Sequence, residues 1–188
     1  DGTSGDTQYM LSGGIYLQDG LLPSSEFDKY TFRTNVLHKF NNFLKIGTHL
    51  QYSYTEANMA ELSNYQGALN DIWRDGWPTL PVYREDGTFA VPQDNPRISL
   101  FGDAAYWNPV ANYKEVTTKS SVSRLLGDVY AEFQLAKGLS FKTNFGLDIA
   151  NKRDYNYTTS KITTSTGYGK GGNGYTKKMS RLTENILS

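Results

Sequence analysis

The feature that most constrains this chain is a strict two-residue alternation of apolar and polar side chains, sustained over stretches longer than ordinary strands. In 44–54, LKIGTHLQYSY, residues Leu44, Ile46, Thr48, Leu50, Tyr52 and Tyr54 fall on one face, and Lys45, Gly47, His49, Gln51 and Ser53 on the other. Side chains of an extended backbone alternate between faces, so such a run is a strand with one apolar and one polar side. The preceding run YTFRTNVLHKF sets Tyr30, Phe32, Val36 and Phe40 against Arg33, Asn35 and Lys39, with Leu37 and His38 as imperfections. Further on, Leu125, Val129, Ala131, Phe133 and Leu135 oppose Arg124, Asp128, Tyr130, Glu132 and Gln134. The chain then returns with Leu139, Phe141, Thr143, Phe145, Leu147 and Ile149 against Ser140, Lys142, Asn144, Gly146 and Asp148.

Six strands are expected, at about 8–18, 28–40, 43–55, 120–136, 139–150 and 176–188. Several run to ten residues or more, where soluble strands average about five or six; that length suits a strand crossing a bilayer at a tilt. Connections are expected to be lopsided. Asn41-Asn42 and Ala136-Lys137-Gly138 close tight hairpins, the first because Asn tolerates left-handed backbone, while 55–120 and 150–175 are expected as long loops. Outer-membrane barrels pair short turns on one side with long loops on the other. Within the first loop, 60–75 spaces Leu62, Leu69, Ile72 and Trp73 like a short helix. The second, with its Gly-rich and Thr-rich run KITTSTGYGKGGNGYTKK, is expected to be mobile.

Composition narrows the function classes. Nineteen basic residues offset nineteen acidic ones, which leaves no broad field to attract nucleic acid. Cysteine is absent, so disulfides, thiolate metal sites and a cysteine nucleophile are excluded together. No stretch reaches the roughly 18 apolar residues of a membrane helix, and a mean hydropathy of -0.56 does not argue against a barrel, whose strands alternate faces. The chain opens without an initiator Met and its last residues, LTENILS, stop inside a β-like pattern, which is expected of a segment cut from a longer barrel.

Five phrases in order, SGGIYLQDGLL, FDKYTFRTNVLHKFNNFLKIGTHLQYSYTEAN, LPVYREDGTF, WNPVANY and LLGDVYAEFQLAKGLSFKTNFGLD, span most of the chain. Together they resemble the SusC/RagA type of TonB-linked outer-membrane proteins, transporters of Bacteroidota that import oligosaccharides or peptides. The resemblance implies an all-β fold, an antiparallel transmembrane barrel of about 22 strands with a plugged lumen. This chain supplies about six of those strands and, in this reading, none of the plug, the TonB box or an aromatic closing strand. It further implies a SusD-like surface lipoprotein capping the barrel, a TonB complex acting through another part of the protein, oligosaccharide or peptide as solute, outer-membrane lipid around the wall, and no nucleic acid.

Candidate site residues follow from chemistry and position. Trp73, Trp77 and Trp107 lie in the long loop, where indole faces stack on sugars or anchor packing, and Trp107 stands beside a rigid Asn108-Pro109 turn. Five of the six prolines (Pro78, Pro81, Pro92, Pro96 and Pro109) also fall in 55–120, so this segment is a folded loop and the candidate surface for solute or partner. Tyr52 and Tyr54, at a strand end on the apolar face, suit an aromatic girdle. No catalytic, cofactor or metal site is expected. Asp86, Asp94, Asp103 and Asp128 are turn or lumen carboxylates without EF-hand spacing, and Asp86-Gly87 is a turn signal. His38 and His49 have no nucleophile signature near them, and GYGKGGNGY lacks the Lys-Ser/Thr of a phosphate loop. The alternative is a secreted or surface β-sandwich that binds glycan through loop aromatics, which requires two sheets packed face to face.

Overall fold

The computed structural model describes residues 1–21, 24–58, 81–90, 108–161 and 168–188. Its strands are β1 (Gly2–Ser4), β2 (Thr7–Asp19), β3 (Glu26–Lys39), β4 (Leu44–Asn58), β5 (Val116–Ala136), β6 (Leu139–Thr158) and β7 (Lys170–Leu187). They form one antiparallel sheet in chain order, and a single short helix among the described residues, α1 (Pro109–Glu115), leads into β5. The two sheets of a sandwich are not found among the described residues, because every named strand joins this one ladder. The three-residue β1 is additional to the six expected strands, being too short to carry a readable pattern. The helix expected at 60–75 lies outside the described residues.

Register turns the alternation into two faces. Residues directly opposed across an antiparallel pair share a side, and the pairs Tyr30↔Tyr54, Tyr52↔Leu125, Thr48↔Val129, Val129↔Phe145 and Phe133↔Phe141 run one apolar surface across β3–β6. The opposite surface carries Lys45↔Glu132, His49↔Asp128 and Glu132↔Lys142. Leu37 interrupts the polar face and His38 the apolar one, where His38 bonds Thr7 at 2.7 Å and meets the Phe40 ring edge-on at 4.4 Å. Leu135 falls in a register shift between Gln134 and Ala136.

The apolar face has the dimensions of a hydrocarbon band. From Leu44 to Tyr54 β4 rises about 33 Å along its axis at about 3.3 Å per residue. A tilt near 40° projects this to about 25 Å, the height of a barrel's lipid-facing belt. The upper edge of the band, taken strand by strand from β2 to β7, is Leu17, Tyr30, Tyr54, Leu125, Ile149 and Met179. Since Leu17 pairs with Asp28 whereas Ile149 pairs with Leu125, that edge drops by about four residues over five strands. At about 3.3 Å per residue and 4.8 Å between strands the drop corresponds to a slope of roughly 30°, as strands tilted within a flat bilayer require. Aromatic rings mark both edges: Tyr30 and Tyr54 lie 6.4 Å apart at the top, and Phe43, Phe133 and Phe141 form a chain of contacts at the bottom.

Three expectations from sequence need correction. The loop placed at 150–175 is only 159–169, because β6 continues to Thr158 and β7 begins at Lys170. The glycines judged mobile are instead laddered beneath β6 side chains, with Gly171 opposite Tyr157 and Gly172 opposite Asn156. A ring lying over a bare backbone supplies the cross-strand contact that Gly lacks. At the β3–β4 turn, Asn41 does not adopt left-handed backbone, for Ser24 is the only non-glycine with positive φ among the described residues. Its side-chain oxygen instead accepts the N–H groups of Phe43 and Leu44 at 2.8 and 2.9 Å, an Asx turn. The β5–β6 turn does use left-handed glycine, Gly138 at φ 83°.

On the polar face Gly47 gives the clearest case of close approach. The Tyr130 ring lies directly on its backbone, stacks with His49 at 5.8 Å and carries the Lys142 ammonium 4.4 Å from its centre. A β-carbon at Gly47 has no room beneath that ring. We predict that Gly47→Val costs about 1–3 kcal/mol by forcing Tyr130 aside. Gly146→Ala, whose nearest contact is 3.4 Å away, should be nearly neutral. Denaturant unfolding in lipid of the full-length protein checks both; equal losses at the two positions contradict the packing assignment.

Candidate functional site

Two places bring functional groups together: the polar face of the sheet and a small core in the loops above it. The polar face is a wall of cross-strand pairs. Lys45 meets Glu132 at 3.2 Å, His49 meets Asp128 at 3.0 Å, and Arg124 grips Asp148 with two bonds of 2.9 and 2.6 Å. These side chains are partly exposed, so each pair contributes at most about 1 kcal/mol. Their consequence is a surface that is charged in detail yet largely neutralised pair by pair.

The loop core is built around Asn108, which is 5% exposed. Its side-chain oxygen accepts the N–H groups of Val110 and Ala111 at 3.1 and 3.3 Å, capping α1. Its amide nitrogen donates to the carbonyls of Val82 and Ala90 at 2.6 and 3.2 Å. Those carbonyls belong to a hairpin, 81–90, closed by the Tyr83↔Phe89 bridge and turned at Gly87 with φ 81°. Asp86 ties the turn by accepting from the Thr88 N–H at 2.9 Å and its hydroxyl at 2.6 Å; these bonds hold its carboxyl below the usual range. One side chain thus fixes a helix start and a hairpin to each other, over Ala90 and Ala111, which are 0% and 2% exposed.

Further bonds tie this core to the strands. Ser24, between β2 and β3, donates to the Tyr113 carbonyl at 3.1 Å, and Lys114 donates to the Tyr83 hydroxyl at 2.9 Å. Glu115, almost fully buried, accepts from the Thr159 hydroxyl at 2.7 Å and from Lys161 at 2.9 Å, while Thr159 N–H bonds its carbonyl at 3.0 Å. The Thr159 bond first, and then Lys161, holds the Glu115 carboxyl below its ordinary value despite burial.

Of the four site residues taken from sequence, Trp73, Trp77 and Trp107 lie outside the described residues. Asn108 is an internal clamp whose amide groups are all engaged within the loop. What reads as a rigid Asn108-Pro109 turn is a helix N-cap followed by proline at the first helical position, the sequence signature of a helix start. Sequence reasoning missed Glu115 and Lys161, which are 46 residues apart and have no local pattern to link them. Asp128 faces His49 and Asp86 caps its turn; Asp94 and Asp103 are not among the described residues.

Asn108→Ala should lose about 1–2 kcal/mol of local stability, seen as faster hydrogen exchange at Val110 and Ala111 and across 81–90. Asn108→Asp keeps the cap but loses the donor, so it should spare the helix and loosen only the hairpin; identical effects of the two changes contradict the double role. Because the Glu115 carboxyl is depressed when folded, its contribution is fully present above the ordinary carboxylate value and is lost as pH falls from there through the lower folded value. Proteolysis of native protein near 159–161 should therefore rise on acidification, and Glu115→Gln should be cut readily at neutral pH with little further change.

No family model matches the chain. It is 27% identical over 172 residues, 92% of its length, to TonB-dependent receptor P26 of Formosa agariphila, and 25% identical over 195 residues to TonB-dependent receptor P3 of that organism. The chain spans 16% and 18% of the lengths of these curated relatives. Among solved structures it superposes on the RagAB peptide transporter with a TM-score of 0.74, 21% identity, and coverage of 99% of this chain and 21% of that one. The RagAB peptide importer in its 'closed-closed' state gives a TM-score of 0.73, with 98% and 20% covered. In sequence, then, the chain is similar to a segment of TonB-dependent receptors, and in fold to a segment of the RagAB peptide transporter.

Proposed function

We propose that this chain forms an arc of the wall, with its overlying loops, of a TonB-dependent outer-membrane transporter that imports oligosaccharides or peptides. The observation that carries this reading is the two-faced sheet: an apolar band about 25 Å high backed by a ladder of polar and charged pairs. A wall between hydrocarbon and an aqueous lumen needs that division, whereas an enzyme needs convergent reactive groups. The relatives are named receptors and the solved neighbours importers, which supports a reading without catalysis.

In this reading the face bearing Leu125, Val129, Phe133, Leu139, Phe141, Phe145 and Leu147 meets lipid, and Lys142 and Glu132 point inward. β5, β6 and β7 continue past the band, so their upper ends and the Asn108 core stand outside the membrane on the long-loop side. The long loop, including Trp73, Trp77 and Trp107, there receives solute or a capping SusD-like lipoprotein. Peptide as the solute is favoured by the RagAB neighbour's name, and the polar wall suits peptide and glycan alike.

Phe145→Arg should cost about 2–4 kcal/mol at mid-membrane, while Lys142→Gln should cost no more than about 1 kcal/mol through its lost contact with Tyr130. Denaturant unfolding of the full-length protein in lipid measures both, and equal sensitivity would sink the orientation. For the loop, Trp77→Ala with Trp107→Ala should reduce uptake or lipoprotein association; unchanged values for both would make the aromatic loop merely structural.

A further inference from the structure

Just above the band, the outward face carries a feature that neither wall nor lumen explains. An open concavity of about 620 Å³ lies there, lined by Glu56, Lys119, Arg153, Asp154, Tyr155 and Tyr175 among others. Lys119 is answered by Glu56 at 3.9 Å. Arg153 is not: its one described contact is the ring of Tyr175, 5.9 Å from the guanidinium carbon. The pairs Arg153↔Tyr175 and Asn151↔Lys177 place Lys177 diagonally beside Arg153 on the same face. Such neighbours have Cβ atoms about 7–8 Å apart, and neither cation meets a carboxylate among the described residues. The nearby Asp154 lies on the opposite face, bonded to Lys152 and Ser120. Arg181 continues the series lower on the strand, one alternation step below Met179.

Two adjacent like charges with aromatic flanks call for an anion with several oxygens, and a planar guanidinium suits phosphate in particular. Height decides which phosphate. On β6 and β7 the band ends at Ile149 and Met179. Arg153 and Lys177 stand four and two residues beyond those ends, which at about 3.3 Å per residue and a 40° tilt is roughly 5–10 Å above the hydrocarbon. That is the layer of lipid headgroups. Arg181, near the top of the band, reaches the same layer with its long side chain. We propose that Arg153 and Lys177, backed by Tyr155 and Tyr175, clamp a phosphate of an outer-leaflet lipid headgroup against the outside of the wall.

This rests on the wall reading, and the test separates the two. The full-length transporter is inserted into phosphatidylcholine nanodiscs containing a minority of diphosphorylated lipid A, and retained lipid A is counted by native mass spectrometry after extraction. Wild type should retain lipid A in preference to its dephosphorylated form, Arg153→Gln with Lys177→Gln should weaken retention about thirtyfold, and Arg153→Lys should keep most of it. Inorganic phosphate in excess should not displace the lipid. Equal retention by wild type and the double variant, both inserted, overturns the headgroup clamp alone. Displacement by inorganic phosphate overturns it in favour of a free-anion site. Failure of the wild type to insert at all overturns the wall and the clamp together.

Discussion

Everything in this structure depends on where backbone hydrogen bonds go. In hydrocarbon an unpaired N–H or C=O costs several kcal/mol, so a spanning sheet must pair every strand on both sides. β3, β4, β5 and β6 are each paired on both sides in antiparallel ladders, broken only by the register shift between Gln134 and Ala136 beside the β5–β6 turn, and long strands follow because each must stay paired across the whole band. The two outer edges do not. β1 covers only Thr7, Gln8 and Tyr9 of β2, and β7 has no described partner beyond β6. As an arc of a larger ring the sheet is a stable solution, whereas the same sheet standing open in lipid is not.

With the ladder fixed, the side chains sort by period alone, which is why so much was legible in the sequence. Leu125, Val129, Ala131 and Phe133 share one face with the set named for 139–149, Leu135 alone falling in the register shift, and Lys142 with Glu132 share the other face as a directly opposed pair. Legibility failed where two residues far apart define one contact. The β7 glycines read as a mobile loop because their support comes from Tyr157 and Asn156 on another strand. At Asn41 the sequence shows a turn residue but not its mechanism, since Asn can make a turn either with its backbone or with its side-chain oxygen. Composition does not distinguish these.

The loop core illustrates the same limit in the candidate site. Asn108 stood out as a residue beside proline, and its cap on α1 is a local pattern a sequence can display. Its second role is not local: the carbonyls it satisfies lie 26 and 18 residues upstream. Glu115 likewise gains its meaning only when the end of β6 comes back beside α1. Polar residues that look available for a solute can thus be consumed in holding the loop together.

β7 is where the two-faced rule weakens, and the weakness is informative. Its outward set Tyr175, Lys177, Met179, Arg181, Thr183, Asn185 is far more polar than the sets on β4 to β6, although it occupies the same rows. An arginine at the centre of a bilayer costs about 2–4 kcal/mol on a barrel wall, falling towards zero near the interface. In the proposed wall, the downward step of the band edge from β2 to β7 brings Arg181 close to that interface, because the rows of paired residues are then inclined to the membrane. The row that holds Leu50 in the middle of the apolar band on β4 holds Arg181 two residues from its upper edge on β7. Strand tilt, set by barrel closure, therefore changes what a given row can tolerate, and a basic side chain on the outward face is admissible where the inclined row nears the headgroups.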